Sequence, residues 1–329
     1  MLVTEVGRFG GPEVLTPRRV PDPVAGPGQV VVQTAAADVL LVDTMIRSGR
    51  GVDYFPIQPP YVPGNGVAGQ VVSAGRGVEP MWIGRAVVAH TGGIGGSGGY
   101  AERAVVPADD LIAVPPGLGL ADAAALLHDG STAFGLTARV PITLADWVLV
   151  TAAGGGMGVL LVQLARALGG RVIAAARGQA KLDLARHAGA RATVDYSEPG
   201  WTEQVRELTD GHGADVVFDG TGGELGRAAF EVTTRGGEFS AHGTTDGYFT
   251  RIDPEEAARR EITVHRLGDH DPVAFQAHAT TALAVAAAGR VRPVIGQTFP
   301  LDRAADAHAA IEARAALAKT LLLTGQITA

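Results

Sequence analysis

Hydrophobic and polar positions along the chain fall into two styles. Up to about Pro116, short β-type runs such as Gln29-Val30-Val31-Val32-Gln33 and Gly84-Arg85-Ala86-Val87-Val88-Ala89 are broken by Gly and Pro turns, which predicts an antiparallel β domain. From Asp122 to about Leu267 apolar strands alternate with helical patterns. Strands are expected at 147–150, 171–176, 192–196, 215–219, 238–242 and 262–267, with helices at 159–166, 181–188, 202–208 and 225–233 between them. Such alternation implies right-handed crossovers and a doubly wound parallel sheet. From about Asp269 an Ala-rich helix, a strand around Val294, a helix over 304–313 and a strand over 320–323 suit a return to the first domain. The expected fold class is therefore α/β, a doubly wound parallel-sheet domain over 122–268 and a discontinuous, mainly antiparallel β domain over 1–121 and 269–329.

The run Ala152-Ala153-Gly154-Gly155-Gly156-Met157-Gly158 joins the first of these strands to its helix. Strand, glycine turn and helix together form a candidate dinucleotide-binding unit. One glycine permits the tight turn, one lets a pyrophosphate approach the backbone, and one lets helix pack on strand; the helix start offers amide donors and a positive dipole end. The form is A-x-x-G-x-x-G, on Ala152, Gly155 and Gly158, a departure from the commoner G-x-G-x-x-G.

The next strand ends at Arg177, where an NAD site commonly places Asp or Glu for the ribose hydroxyls. A cation there, with Lys181 one helical turn on and no carboxylate nearby, suits a 2′-phosphate and hence NADP(H). The alternative is a solvated Arg and Lys at a helix start.

Composition narrows the class. Apolar residues make up 46% and charged residues 19%, which describes a folded globular chain. Net charge is −7 with no block of Lys or Arg, against a nucleic-acid surface. The chain has no cysteine, so disulfides, thiolate nucleophiles and Cys-ligated zinc are all excluded. Its nine His show no ligand spacing, and no metal is expected. No leader pattern opens the chain and no apolar run reaches about 18 residues, so a cytoplasmic protein without membrane contact is expected.

Further stretches carry a resemblance: Gly10-Gly11-Pro12-Glu13-Val14-Leu15, Val42-Asp43-Thr44 with Arg47-Ser48-Gly49, Pro63-Gly64 with Ala68-Gly69, Gly99-Tyr100-Ala101-Glu102, Ser131-Thr132-Ala133, the glycine turn, and Asp219-Gly220-Thr221-Gly222-Gly223. Together the chain resembles a zinc-independent medium-chain dehydrogenase/reductase of the quinone oxidoreductase, zeta-crystallin-like branch, whose parallel-sheet domain is of the Rossmann type and whose β domain is GroES-like. The resemblance implies that Ala153 to Gly158 meet the cofactor phosphates, and that Gly220 and Thr221, with His242, Gly243 and Thr244, border its nicotinamide half. It also implies Thr132 near the nicotinamide, or else a helix back-bond, and Tyr196 over the adenosine, or else a half-buried strand tyrosine. Lys319 matches a family lysine before the final strand, with an exposed lysine as the alternative. The family is often a homodimer through the sixth nucleotide strand, here 262–267.

Departures matter as well. Zinc-containing relatives carry a His-Glu pair where this chain reads Asn65-Gly66, and zinc-free relatives usually carry Asn and Tyr where it has Leu40 and Met45. An apolar floor favours a hydrophobic acceptor, a quinone or enone, over a small alcohol. The implied activity is NADPH-dependent hydride transfer followed by protonation, with an enoyl or enone reductase and a low-turnover NADPH-binding protein as alternatives. Tyr54 and His128 are candidate proton donors, or structural groups. Asp43 is a candidate catalytic carboxylate, or a cap on local amides. The glycine-rich stretch from Gly92 to Gly99 is expected to be a surface loop or a closing flap.

Overall fold

The structure is a computed structural model that describes residues 1–50, 55–92, 98–245, 247–267 and 272–325. Tyr54 and residues 93–97 of the glycine-rich stretch lie outside the described residues.

In chain order the strands are β1 (Leu2–Val6), β2 (Leu15–Arg19), β3 (Gln29–Val39), β4 (Gly66–Ala74), β5 (Ala86–His90), β6 (Arg103–Pro107), β7 (Ile112–Ala113), β8 (Trp147–Val150), β9 (Arg171–Ala176), β10 (Ala192–Asp195), β11 (Ala214–Asp219), β12 (Thr233–Ala241), β13 (Thr263–Arg266), β14 (Ile295–Pro300) and β15 (Lys319–Leu323). The α-helices are α1 (Leu41–Arg47), α2 (Leu120–Arg139), α3 (Gly156–Ala167), α4 (Gln179–His187), α5 (Trp201–Leu208), α6 (Gly223–Glu231), α7 (Pro254–Arg259), α8 (Pro272–Ala287) and α9 (Ala304–Glu312). The chain divides into two compact units, Met1–His128 with Ala279–Ala329, and Asp129–His278.

The first unit is built on a sheet of order β14-β15-β3-β4-β5-β7, with β6 also paired to β3. Its neighbours run antiparallel except β14 and β15, which are parallel, so the sheet is mixed. β3 is buried along nearly all of its 11 residues because it pairs with β15, β4 and β6. Val30, Val32, Val67, Val87 and Leu322 fill the core beneath it.

The second unit is a six-stranded parallel sheet of order β10-β9-β8-β11-β12-β13. Strand order reverses between β8 and β11, the switch point at which such sheets open a ligand crevice. β8 is wholly buried, and the Phe230 and Phe239 rings meet edge to face at 5.3 Å in the core.

Most predicted elements recur within two residues of their expected ends. α3 starts at Gly156, three residues before its expected start, the run 29–33 extends to Val39 in β3, and β12 starts at Thr233 instead of Glu238. Its first residues pair across an irregularity with β11 at Ala214/Val216, and no period-2 pattern shows in Arg235-Gly236-Gly237. Among the described residues no helix is long and apolar enough to cross a membrane.

Candidate active site

β8 leads through Thr151 into Ala152, whose φ is +51°, a left-handed conformation that a non-glycine residue adopts at a small cost. Ala152 O accepts from Gly155 N at 3.0 Å, closing the turn. Gly158 is the packing glycine: a Cβ there would come within 2.4 Å of Ala152 O and 2.8 Å of Ala153 Cα, both backbone. Gly155 is the open one, its nearest obstacle being Ala152 O at 3.4 Å. α3 starts at Gly156 with Gly155 as its N-cap and no side-chain cap, so the first-turn amides of Gly156, Met157 and Gly158 lie at the positive end of the helix with no side chain capping them. The Lys181 stem packs against Gly154, where a Cβ would meet Lys181 Cβ at 2.5 Å.

Arg177 is exposed just after β9. A carboxylate does stand nearby, contrary to expectation: Asp195, at the end of the adjacent β10, accepts from Gly178 N at 2.8 Å and from Ser197 N and Oγ at 2.9 and 2.5 Å. Burial, the largest single influence, works to raise its pKa, but these bonds and the Arg177 charge together overcome it and hold the pKa below the ordinary value. Asp195 was hidden because it lies on another strand, 17 residues from Gly178. Tyr196 follows it and packs, half-buried, against the sheet core.

Across the switch point, Gly220 closely approaches the β8 end; a Cβ there would lie 3.1 Å from Thr151 O. Gly243 lies so close to Gly220 that a Cβ would come within 2.0 Å of its carbonyl oxygen. His242 is buried, which lowers its pKa to about 4, and its Nδ1 lies 3.2 Å from both Ser240 O and Ser240 Oγ. The His242 ring thus stays neutral beside the crevice. Thr221 is buried, Thr244 half-buried, and both shape the loop ends. Thr132 is half-buried on α2.

The first unit carries two buried polar clusters, in which the sequence pointed to Asp43, His128 and Lys319. In one, Asp43 Oδ2 accepts from Leu40 N at 2.9 Å and from the Tyr100 hydroxyl at 3.3 Å, while Oδ1 accepts from Asn65 Nδ2 at 2.9 Å. Burial, reinforced by the Asp38 charge, raises the Asp43 pKa to about 6 against the bond from Leu40. The Tyr100 hydroxyl also meets His308 Nε2 at 2.9 Å. In the other cluster, Asp38 Oδ2 lies 2.8 Å from His128 Nδ1 and 3.3 Å from Lys319 Nζ. Lys319 is thus 4% exposed, not the surface lysine its type suggests. Asp38, His90, Tyr100 and His308 were missed; a lone Asp in Ala35-Ala36-Ala37-Asp38-Val39 was the one visible signal. Among the described residues no three His, Asp or Glu are grouped as a metal would need.

Comparison with known proteins follows the same division. A family model described as "Alcohol dehydrogenase GroES-like domain" matches residues 26–116, and one described as "Zinc-binding dehydrogenase" matches residues 156–271. A quinone oxidoreductase of Pseudomonas aeruginosa is 31% identical over 96% of this chain and 97% of its own. The chain belongs to the medium-chain dehydrogenase/reductase family, in its quinone oxidoreductase branch. Within that family a 2-haloacrylate reductase of Burkholderia sp. is 29% identical over 98% of this chain and 99% of its own. The crystal structure of Escherichia coli quinone oxidoreductase complexed with NADPH superposes with a TM-score of 0.89 at 26% identity, covering 98% of this chain and 100% of that one. Where zinc-containing relatives are expected to carry a His-Glu pair, Asn65 is buried and engaged with Asp43, and the chain has no cysteine to ligate zinc.

Proposed function

We propose that the protein is an NADPH-dependent reductase that delivers a hydride, without a metal, to a quinone or another electron-poor acceptor. The observation that carries this reading is the uncapped start of α3 behind a turn that Gly158 packs shut and Gly155 leaves open. NADPH held there would supply a hydride from C4 of its nicotinamide. The amides of Gly156, Met157 and Gly158 would take the pyrophosphate, with Ala153 and Gly154 supporting the turn, and Arg177 with Lys181 would take the 2′-phosphate. Gly220, Thr221, Gly243 and Thr244 would border the nicotinamide ribose, with His242 neutral behind them, and Tyr196 would cover the adenosine.

On α2, His128 and Thr132 stand four residues apart and share a face. Thr132 would hold the nicotinamide side of the site and His128 would protonate the reduced acceptor. Asp43, with both oxygens already engaged, would hold α1 in place, not react. The reading is supported by full-length similarity to the Pseudomonas aeruginosa quinone oxidoreductase. A second reading, reduction of an activated alkene, is favoured by the similarity to a 2-haloacrylate reductase. A cytoplasmic homodimer paired through the edge strand β13 completes the proposal.

NADPH oxidation against a panel of quinones, enones and enoyl thioesters tests it. Turnover that survives exhaustive chelation is expected, and the preferred acceptor separates the two readings. NADPH binding without turnover on any of them would leave a cofactor-binding protein, and zinc lost together with activity would overturn the metal-free chemistry.

A further inference from the structure

Strand register lines up three positions in the first unit. Ala37 faces Val67, and Gly66 faces His90, so one step along the sheet Asp38, Gly66 and His90 form a row across β3, β4 and β5. The middle of that row has no side chain. A Cβ on Gly66 would come within 2.5 Å of Leu127 Cδ2, 2.9 Å of His128 Cε1 and 3.1 Å of Asp38 Oδ1. α2 therefore lays His128 into the space that Gly66 leaves, with Nδ1 2.8 Å from Asp38 Oδ2 and its ring edge-on to His90 at 4.5 Å. On the other flank β15 pairs Leu321 with Asp38. Lys319, two residues back and so on the same face, reaches the same Oδ2 at 3.3 Å.

We propose that Asp38, anchored by Lys319, is a positioning residue that fixes the His128 ring as its Nδ1–H tautomer and leaves Nε2 as the atom that handles the acceptor's proton. The inference rests on His128 being the proton donor. An ionised carboxylate only accepts, so the nitrogen that faces it must carry a hydrogen. Burial works to raise the Asp38 pKa, but the His128 and Lys319 charges overcome it and lower it to about 2, so the carboxylate remains charged over the working range. Among the described residues, charged and titratable groups that face the ring include Asp38 from β3, Lys319 from β15 and His90 from β5, with Asp43 of α1 in electrostatic range. In the proposed step the imidazolium gives its Nε2 proton to the acceptor that has taken the hydride, and the ring returns to the neutral Nδ1–H form. A proton taken up from solution then restores the imidazolium, so that each turnover consumes one hydride and one proton.

Nitrogen-15 NMR of histidine-labelled, cofactor-free protein reads the tautomer directly. The Nδ1–H form is expected for His128 in the unmodified protein, shifting toward Nε2–H in Asp38→Ala/Lys319→Met, a pair that leaves no lone charge buried. With NADPH and cyclohexenone, that pair and Asp38→Asn should each lower kcat by about 10- to 100-fold, with KM within about 2-fold, as for outer residues that orient a ligating or reacting histidine. Adding His128→Gln should cause no further loss. An unchanged tautomer in Asp38→Ala/Lys319→Met, or losses that multiply with His128→Gln, would overturn the positioning role. Full kcat in His128→Gln alone would overturn the donor role on which it rests, whatever the tautomer shows.

Discussion

Thr151 Oγ1 donates to Asp219 Oδ1 at 3.0 Å, tying the ends of the adjacent strands β8 and β11 at the point where the crevice opens. The same oxygen also accepts from Thr221 N, Thr221 Oγ1 and Gly222 N, at 3.0, 2.7 and 3.1 Å, while Oδ2 accepts from Thr250 Oγ1. Asp219 is fully buried, so its carboxylate organises the loop that follows β11.

Asp219→Ala strands these donors. A loss of about 3–5 kcal/mol in urea unfolding is expected, because a buried network loses its shared acceptor. A change under about 1 kcal/mol would mean that the donors find other partners or water.

The two turn glycines separate folding from binding. Gly158→Ala presses a Cβ onto backbone and should cost about 1–3 kcal/mol of stability together with NADPH affinity. Gly155→Ala, at φ −85° with only an ordinary contact, should keep stability within about 0.5 kcal/mol yet weaken NADPH binding, since its methyl enters the ligand position. Unfolding curves and NADPH titrations of the two variants check this; equal NADPH affinity of Gly155→Ala and the unmodified protein would move the phosphates elsewhere.

Cofactor choice is expected to be a contest between Arg177 and Asp195. Arg177→Ala should weaken NADPH binding by about 1.5–3 kcal/mol and NADH little, as for a charge-assisted hydrogen bond. Asp195→Asn removes the opposing charge and should raise the NADPH to NADH affinity ratio. Calorimetric titration measures both; a ratio unmoved by either change would remove the 2′-phosphate from this turn.

Burial lowers the pKa of His90 to about 3, helped by His128, that of His308 to about 3, helped by Arg47, and that of His242 to about 4. Below the ordinary 6.5 the unfolded chain takes up protons that these rings refuse. Stability present above pH 6.5 is then lost as pH falls, by about 1.4 kcal/mol per ring per pH unit until the folded values are reached. Asp43 works the other way: with its folded pKa raised from 3.8 to about 6, it adds stability as pH falls through that interval, and this is lost as pH rises through 6. Three rings outweigh one carboxylate, so the urea midpoint should fall steadily between pH 6.5 and 4. Between pH 6 and 4, where Asp43 opposes the rings, His308→Gln should flatten that slope by about a half; a midpoint independent of pH would show these rings protonated in the fold.

Sequence alone determined the parallel sheet, the glycine turn and the position of Arg177. Each is written locally: apolar runs of strand length between helical periods, and glycines whose backbone requirement is met within seven residues. Tertiary structure decided what the buried charges do. Asp38 and Lys319 are 281 residues apart, Tyr100 and His308 are 208 apart, and nothing periodic marks them. Burying a charge is tolerable only when a partner is delivered beside it. That delivery depends on which strands become neighbours and in what register, as when β15 sets Lys319 beside Asp38 and Gly66 leaves room for His128. The placement of Asp195 was likewise decided by strand order, because β10 adjoins β9 and so brings a carboxylate to the Arg177 turn.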